Sequence, residues 1–435
     1  MRPFAGVLRE RGEMERRAMQ KVEPRAWAIL VVTYLASFVA PMAQFKIPPL
    51  ASWLIPAFHM DGTTFGYLMS ALAIIGVVLA FPAAFICRRI GLKSVMLLSV
   101  AFVGIGSLIG FFAEDLAVIM ISRMFEGVGI GLVGVAAPTC ITIWFPESRR
   151  GLALGIWTTW VPVGLILMFN MAPPIAESFG YKAVFMVVSF ISLLTFVLFA
   201  LVFKVPEGKG GDITAGGTFK DGLGYLKRKE IWLLGIVFFC FCGTSLGVTN
   251  TFYNTFLEQV RGFDPSSSSF VTSLCTLVGI PLQIFTGWWF DHVKPKNRRF
   301  FIFAMCVTMG ISFVIMFNTD EYANACMWGF VVLQAIGGGI AMGSLRPTAP
   351  TLVVPGALSA TMSMALLQLF QNLGSAICAP LFGFAIGAIG WEASSLAIQI
   401  PLIVVAFVCA VFIIPKKPDT AGSRDADAMA ERMGR

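Results

Sequence analysis

Long apolar stretches and short polar gaps alternate along almost the whole of this 435-residue chain. Twelve stretches can be marked, at 26–45, 65–87, 94–113, 116–145, 151–176, 183–203, 231–257, 265–290, 300–319, 322–345, 361–389 and 393–415. Each is close to the ~20 residues that a helix needs to cross a bilayer. Hydrocarbon offers the backbone no hydrogen bonds, so a stretch of this kind must satisfy its own N–H and C=O groups, and helix is the expected form. The tract 346–391 carries no charge beyond Arg346, and Pro347, Pro350, Pro355 and Gly356 predict a short loop there, before Thr361.

The polar gaps then divide the chain. Residues 1–25 form a basic segment, 26–203 a first set of six spans, 204–230 a linker, 231–415 a second set of six, and 416–435 a polar tail. The linker holds Gly208, Gly210, Gly211, Gly216 and Gly217 among six basic residues. The first span follows basic residues, as a secretory signal does, but it is 20 residues long with no small-residue cleavage site behind it, so it is expected to be retained.

Charge adds orientation. Of the 32 Lys and Arg residues, only Lys46, Arg123, Lys182 and Arg261 fall outside one alternating set of gaps. Short loops on the cytoplasmic side carry the positive charge. Both termini are therefore expected inside, with a span count that is even. The net charge of +8 fits this orientation and predicts no nucleic-acid partner. Only 13% of the residues are charged, against the ~25% of a soluble domain. The nine cysteines are odd in number, lie mostly inside spans and lack zinc-finger spacing, so neither a disulfide framework nor a metal site is expected. No cofactor is expected either. Gly129-x-Gly131-x-x-Gly134 matches a dinucleotide fingerprint but lies in an apolar helix and follows no strand.

The two halves echo one another. Ala84-x-x-x-Arg88-Arg89-x-Gly91-x-Lys93 follows the second span, and Gly287-x-x-x-Asp291-His292 follows the eighth, with Lys294, Lys296, Arg298 and Arg299 behind it. Two similar bundles can pivot about a site between them. Twelve spans, a basic central loop and these loop motifs resemble the major facilitator superfamily over roughly residues 26–415. The family's loop pattern is Gly-x-x-x-Asp-Arg-x-Gly-x-Lys/Arg. The first copy keeps Arg89, Gly91 and Lys93 but has Ala84 and Arg88 in place of Gly and Asp, and the second keeps Gly287 and Asp291. Arg123-x-x-x-Gly127-x-Gly129-x-Gly131 and the loop Trp144 to Gly151 resemble further motifs of the superfamily. The runs Gln44 to Leu50, Gln371 to Gly374 and Ala379 to Gly383 look most like its anion porters, of the nitrate/nitrite, cyanate and organic-anion types. Nitrate porters carry an Arg in spans two and eight, and this chain has none there. The resemblance implies an all-α membrane protein with twelve transmembrane helices in two pseudo-symmetric six-helix bundles, in the cytoplasmic membrane. It implies alternating access, and spans one, four, seven and ten lining the path.

Charge inside a bilayer is costly and usually functional. Arg123 and Glu126, three apart on span four, share a face and can pair. One reading makes them an anion or proton site, with Glu126 as coupling group. The other makes them a neutralised pair that pins span four to a neighbour. Lys46 is read as facing the cavity on a first helix that runs past Phe45, or else as snorkelling to the outer surface. Trp157 and Trp160, Asn250 and Asn254, Gln283, Gln334, Gln368 and Asn372 fill out an expected substrate cavity, with Thr158, Thr159 and Gln371 beside them. Each could instead bond a neighbouring helix. Arg89, Gly91, Lys93, Gly287 and Asp291 are the expected gating residues.

The expected function is secondary active transport of a small anion, organic or inorganic, either as a symporter with protons or as an exchanger with another anion, by a monomer and without enzymatic activity. A drug or cation/proton antiporter is the alternative within the fold; the Gly-Pro pair such antiporters show in span five is missing at Trp160-Val161-Pro162. A non-transporting receptor or scaffold is the alternative of another class. Impermeant thiol reagents applied to intact cells should label single cysteines placed at neither terminus; labelling of one end alone would overturn the even span count.

Overall fold

The computed structural model describes residues 23–80, 82–205, 228–294, 297–352 and 357–413. Most of the expected N-terminal segment, most of the linker and the tail from 416 lie outside the described residues. Among the described residues there is helix and no strand. The first six spans are α1 Pro24–Phe45, α2 Gly62–Leu79, α3 Leu92–Phe111, α4 Leu116–Thr142, α5 Arg149–Phe179 and α6 Tyr181–Val202. The second six are α7 Lys229–Gln259, α8 Pro265–His292, α9 Arg299–Ile315, α10 Ala323–Thr351, α11 Ala357–Ile389 and α12 Trp391–Phe412. Eleven are long and apolar enough to cross a membrane, and α9, at 17 residues, is the short one.

Local chemistry sets the helix ends. Asp61, Asp115 and Asp264 cap α2, α4 and α8, each carboxylate accepting a backbone N–H three residues on, at 2.7, 2.9 and 2.9 Å. These caps all lie at one end of the bundle, here the far end. Arg89, Lys93, Arg149, Arg150, Arg298 and Arg299 lie at the other, basic end. Hydrogen bonds from Thr64, side chain and then backbone, hold the Asp61 carboxyl below its ordinary value, and those from Ser267 do the same for Asp264. A lowered folded value means that the caps contribute fully above the ordinary carboxylate pKa near 3.9 and are lost only as pH falls below it.

Two glycines mark the internal repeat. Gly180 joins α5 to α6 at φ 82°, and Gly390 joins α11 to α12 at φ 81°. A left-handed residue alone turns the chain between two helices, which glycine does without a steric cost. The equivalent link thus recurs in each half.

Four boundaries differ from expectation. The second span stops at Leu79 and a separate helix, Pro82–Ile90, follows, because Pro82 has no N–H to continue the ladder. α5 is broken at Thr159 into Glu147–Thr158 and Trp160–Phe179. α1 ends at Phe45 rather than running on, since Pro48 and Pro49 cannot donate. α10 runs through Pro347 and Pro350 to Thr351, so the expected loop begins later. Hydroxyls support this stretch: Ser344 donates to the Ile340 carbonyl at 2.6 Å and Thr348 to the Ser344 carbonyl at 2.7 Å. Serine and threonine side chains of this kind are what lets proline persist in a transmembrane helix. The consequence is that Arg346 lies inside a span.

Among the described residues, the halves meet along two helix–helix seams and at the far end, where Asn254 reaches the Pro48 carbonyl. α2 and α11 run antiparallel in close contact, with Ser70 Oγ donating to the Ala376 carbonyl at 2.7 Å. A Cβ on Gly66 would sit 2.5 Å from Pro380 Cα and 2.6 Å from the Ala379 carbonyl oxygen. α5 meets α8, with Asn170 Nδ2 donating to Ser273 Oγ at 3.0 Å and Ser266 Oγ to Glu177 Oε1 at 3.3 Å. Small residues at such crossings let backbones approach without a hydrophobic driving force. Gly66→Val should therefore force α2 off α11 and cost about 1–3 kcal/mol, read as a lowered melting temperature in nanodiscs; an unchanged melting temperature would show the crossing to be loose.

Candidate functional site

The site grows from the end of α1. A helix leaves its last carbonyls without intrahelical partners and carries partial negative charge there. Arg123 on α4 fills that place: Nη1 donates to the Ala43 carbonyl at 2.7 Å and Nη2 to the Gln44 carbonyl at 3.4 Å. Arg123 also donates to Glu126 Oε2, one turn along the same helix. Lys46, the C-cap of α1, donates to Glu126 Oε1 at 2.5 Å and to Ser107 Oγ of α3 at 2.9 Å. Ser107 in turn donates to Glu126 Oε1 at 2.7 Å, and the Phe185 ring of α6 lies 4.0 Å from Lys46 Nζ. All three charged side chains are 0% exposed. Both buried ion pairs, Lys46–Glu126 and Arg123–Glu126, fall on this one carboxylate.

Two cations thus share one carboxylate inside the first bundle, and the cluster formally carries one surplus positive charge. This corrects the expectation that Lys46 faces a cavity: the proline stop after α1 turns Lys46 inward, between α1, α3, α4 and α6. Arg123 pairs with Glu126 as the spacing allows, but both are enclosed.

The other expected residues fall into separate groups. Trp157 and Trp160 stack at 5.4 Å beside the break in α5, and Trp157 Nε1 donates to Ser37 Oγ of α1 at 3.0 Å. The Tyr34 and Thr159 hydroxyls are hydrogen-bonded at 3.1 Å in the same place. Asn254 lies at the far end of α7, buried, donating to Glu258 Oε1 at 2.5 Å and to the Pro48 carbonyl of the first half at 3.5 Å, while Ser269 donates to its Oδ1 at 3.0 Å. Asn250 is half-buried at the start of the same helical segment.

Gln334 is 7% exposed and bridges Ser245 at 3.2 Å and Ser312 at 3.3 Å inside the second bundle. It stands about as far along α10 as Glu126 does along α4, so the second half has an amide where the first has a charge. Gln283 and Gln368 are half-buried, and Asn372 packs its amide against Gly76 of α2. Convergence of this whole set on one cavity is thus not observed. In a bilayer, a polar side chain bonds the nearest helix, and that is where Asn254 and Gln334 went. A cavity of about 420 Å³ at the far end of the second half, lined by Phe256, Phe317, Trp391 and Glu392, holds none of the expected residues.

At the basic end, Gly91 starts α3 at φ 84° and Lys93 Nζ donates to the Ala200 carbonyl of α6 at 2.7 Å. Arg89 is exposed, Gly287 lies near the Gly343 carbonyl of α10, and the side chain of Asp291 lies outside the described residues.

Two charged residues were missed in the sequence. Glu258 accepts from Asn254 and from Ser268 at 3.0 Å; its signal was its place four residues after Asn254. Arg346 donates from Nη2 to Gln371 Oε1 of α11 at 3.0 Å and lies 5.8 Å from the Phe238 ring of α7. Its isolation in an otherwise uncharged tract was the signal, and the prolines behind it led to the loop assignment.

Comparison with known proteins agrees with this architecture. A family profile described as Major Facilitator Superfamily matches residues 33–365. A probable sulfoacetate transporter of Cupriavidus necator is 24% identical over 283 residues, 62% of this chain and 66% of that protein, just under two thirds of its length. A probable galactarate/D-glucarate transporter of Bacillus subtilis is 23% identical over 403 residues, 84% of this chain and 86% of that protein. The crystal structure of a bacterial homologue of the human lysosomal transporter Spinster, inward-facing and occupied, superposes with a TM-score of 0.70 at 14% identity, over 90% of this chain and 97% of that one.

The charge arithmetic of the cluster can be tested by stability. Lys46→Met leaves a balanced Arg123–Glu126 pair and should cost little. Glu126→Leu leaves two buried cations without a counter-charge and should cost about 3–5 kcal/mol. Equal losses in thermal unfolding would contradict the shared carboxylate.

Proposed function

The chain belongs to the Major Facilitator Superfamily, and on that premise we propose that it is a secondary active transporter of a small organic anion, working by alternating access with a proton as the coupling ion. It sits in the cytoplasmic membrane with both termini inside, as a monomer, the basic end being the cytoplasmic one. Symport and exchange are two modes of the same cycle.

The observation that carries this reading is the carboxylate held by two cations. With Glu126 ionised, Lys46 and Arg123 are both engaged. When Glu126 takes up a proton, the two cations lose their counter-charge, in a place where uncompensated charge is costly. The cluster is enclosed, so it acts on an anion bound between the bundles through the end of α1 and the contact that this end makes with the other half. The relatives whose names give acidic cargo, sulfoacetate and galactarate/D-glucarate, support an organic anion.

The cluster also has a mechanical outlet. Arg123 caps the end of α1, α1 leads directly to Pro48, and the Pro48 carbonyl accepts from Asn254 of the other half. Releasing Arg123 from Glu126 loosens the end of α1, and with it a contact that holds the halves together at the far end. Rocking of one bundle against the other then opens that side. A cation antiporter is disfavoured by the same geometry, since the acid it would need is already held by Lys46 and Arg123.

In proteoliposomes, labelled galactarate, D-glucarate or sulfoacetate should be taken up saturably and accumulated by an inward proton gradient. Glu126→Gln should keep exchange but lose the gradient-driven accumulation. Accumulation with an unaltered pH dependence in that variant would remove Glu126 from coupling.

A further inference from the structure

We propose that Arg346 and Gln371 form the contact of the second half with the anionic head of the substrate, and that this head is a planar carboxylate or a sulfonate. The inference rests on the transport reading above and adds to it a binding group on the opposite bundle.

Arg123 and Arg346 are both arginines inside a span, and they differ in what surrounds them. Arg123 is fully enclosed, with a carboxylate and two helix-end carbonyls around it. Arg346 is partly exposed, and among the described residues no carboxylate lies within ion-pair distance of it. Its one hydrogen bond there is from Nη2 to Gln371 Oε1. A guanidinium carries five N–H donors and no acceptor. Several donors therefore remain for another molecule, on a cation that lies roughly one and a half turns inside the end of its helix.

The chemistry of the pair selects the ligand. Arginine cannot accept, so Gln371 must turn Oε1 toward it, which leaves the Gln371 NH₂ free to donate. Guanidinium and amide together present donors only. Such a patch suits an oxyanion and repels a cation. The planar fork matches a carboxylate or sulfonate through two parallel bonds. The Phe238 ring, 5.8 Å away, covers part of the guanidinium and limits its hydration.

Position supports the same role. Gln371 precedes Asn372, whose amide packs on Gly76 of α2 in the first half. Arg346 thus stands beside the line where the halves meet, which is where a transported molecule must touch both. Arg228 adds a second cation at the basic end of α10, donating to the Leu352 carbonyl at 3.4 Å.

The test uses the full-length protein in proteoliposomes, with labelled galactarate, D-glucarate and sulfoacetate as probes, and calorimetric binding of the same three in detergent. Loss of a charge-assisted contact is worth roughly ten- to a hundredfold in affinity. Arg346→Gln should raise KM and Kd by that factor with the maximal rate kept. Arg346→Lys keeps charge without the fork and should fall between wild type and Arg346→Gln, which also shows that the position tolerates change. Gln371→Ala should raise KM several-fold.

An unchanged KM and Kd in Arg346→Gln, with wild-type transport intact, overturns the site and leaves the transport reading standing. A lost rate with unchanged Kd makes Arg346 a gate and likewise overturns the site. Binding by wild type that Arg346→Gln loses, without flux in either, keeps the site and ends the transport reading. No binding and no flux of any probe overturns both.

Discussion

One carboxylate held between two cations, sealed in the first bundle, is the constraint around which this structure is arranged. Glu126 cannot be left ionised and alone in hydrocarbon, and Lys46 and Arg123 cannot both be neutralised elsewhere in that bundle. The three side chains therefore bind α1, α3 and α4 together, with the α6 ring of Phe185 closing over Lys46. The end of α1 is drawn in as well, because its unpaired carbonyls are what Arg123 bonds next. A charge state is in this way tied to a helix end, and that helix end is tied to the other half of the molecule through Pro48 and Asn254.

The second bundle solves the same packing problem without charge. Gln334 stands at about the height of Glu126, and bonds two serines in place of two cations. Gln399 accepts from Ser395 at 2.7 Å nearby. The repeat is therefore one of architecture, seen in the matched glycine turns at Gly180 and Gly390, and not one of chemistry. The first half thus holds a buried carboxylate between two cations, and the second carries Arg346 inside α10 with Gln371 as its hydrogen-bond partner.

Some features could be read along the chain. The Arg123–Glu126 pairing follows from their spacing on one helix. Other features could not. Lys46 gave no sign of its partner, since Glu126 lies 80 residues away in sequence. Pro347 and Pro350 read as helix breakers, yet α10 runs through them, with the hydroxyls of Ser344 and Thr348 bonding back along it. Asn254 and Gln334, two of the amides expected in a common cavity, bond neighbouring helices instead.

The sequence by itself determined the number and order of the spans and the alternation of the positive charge between them. These depend on transfer of single segments between water and lipid, an energy that each segment pays alone. Tertiary structure decided which polar groups meet, which cation stays open and where the halves touch. Those depend on distances between helices far apart in the chain, and in hydrocarbon a polar side chain takes whichever partner packing brings within reach.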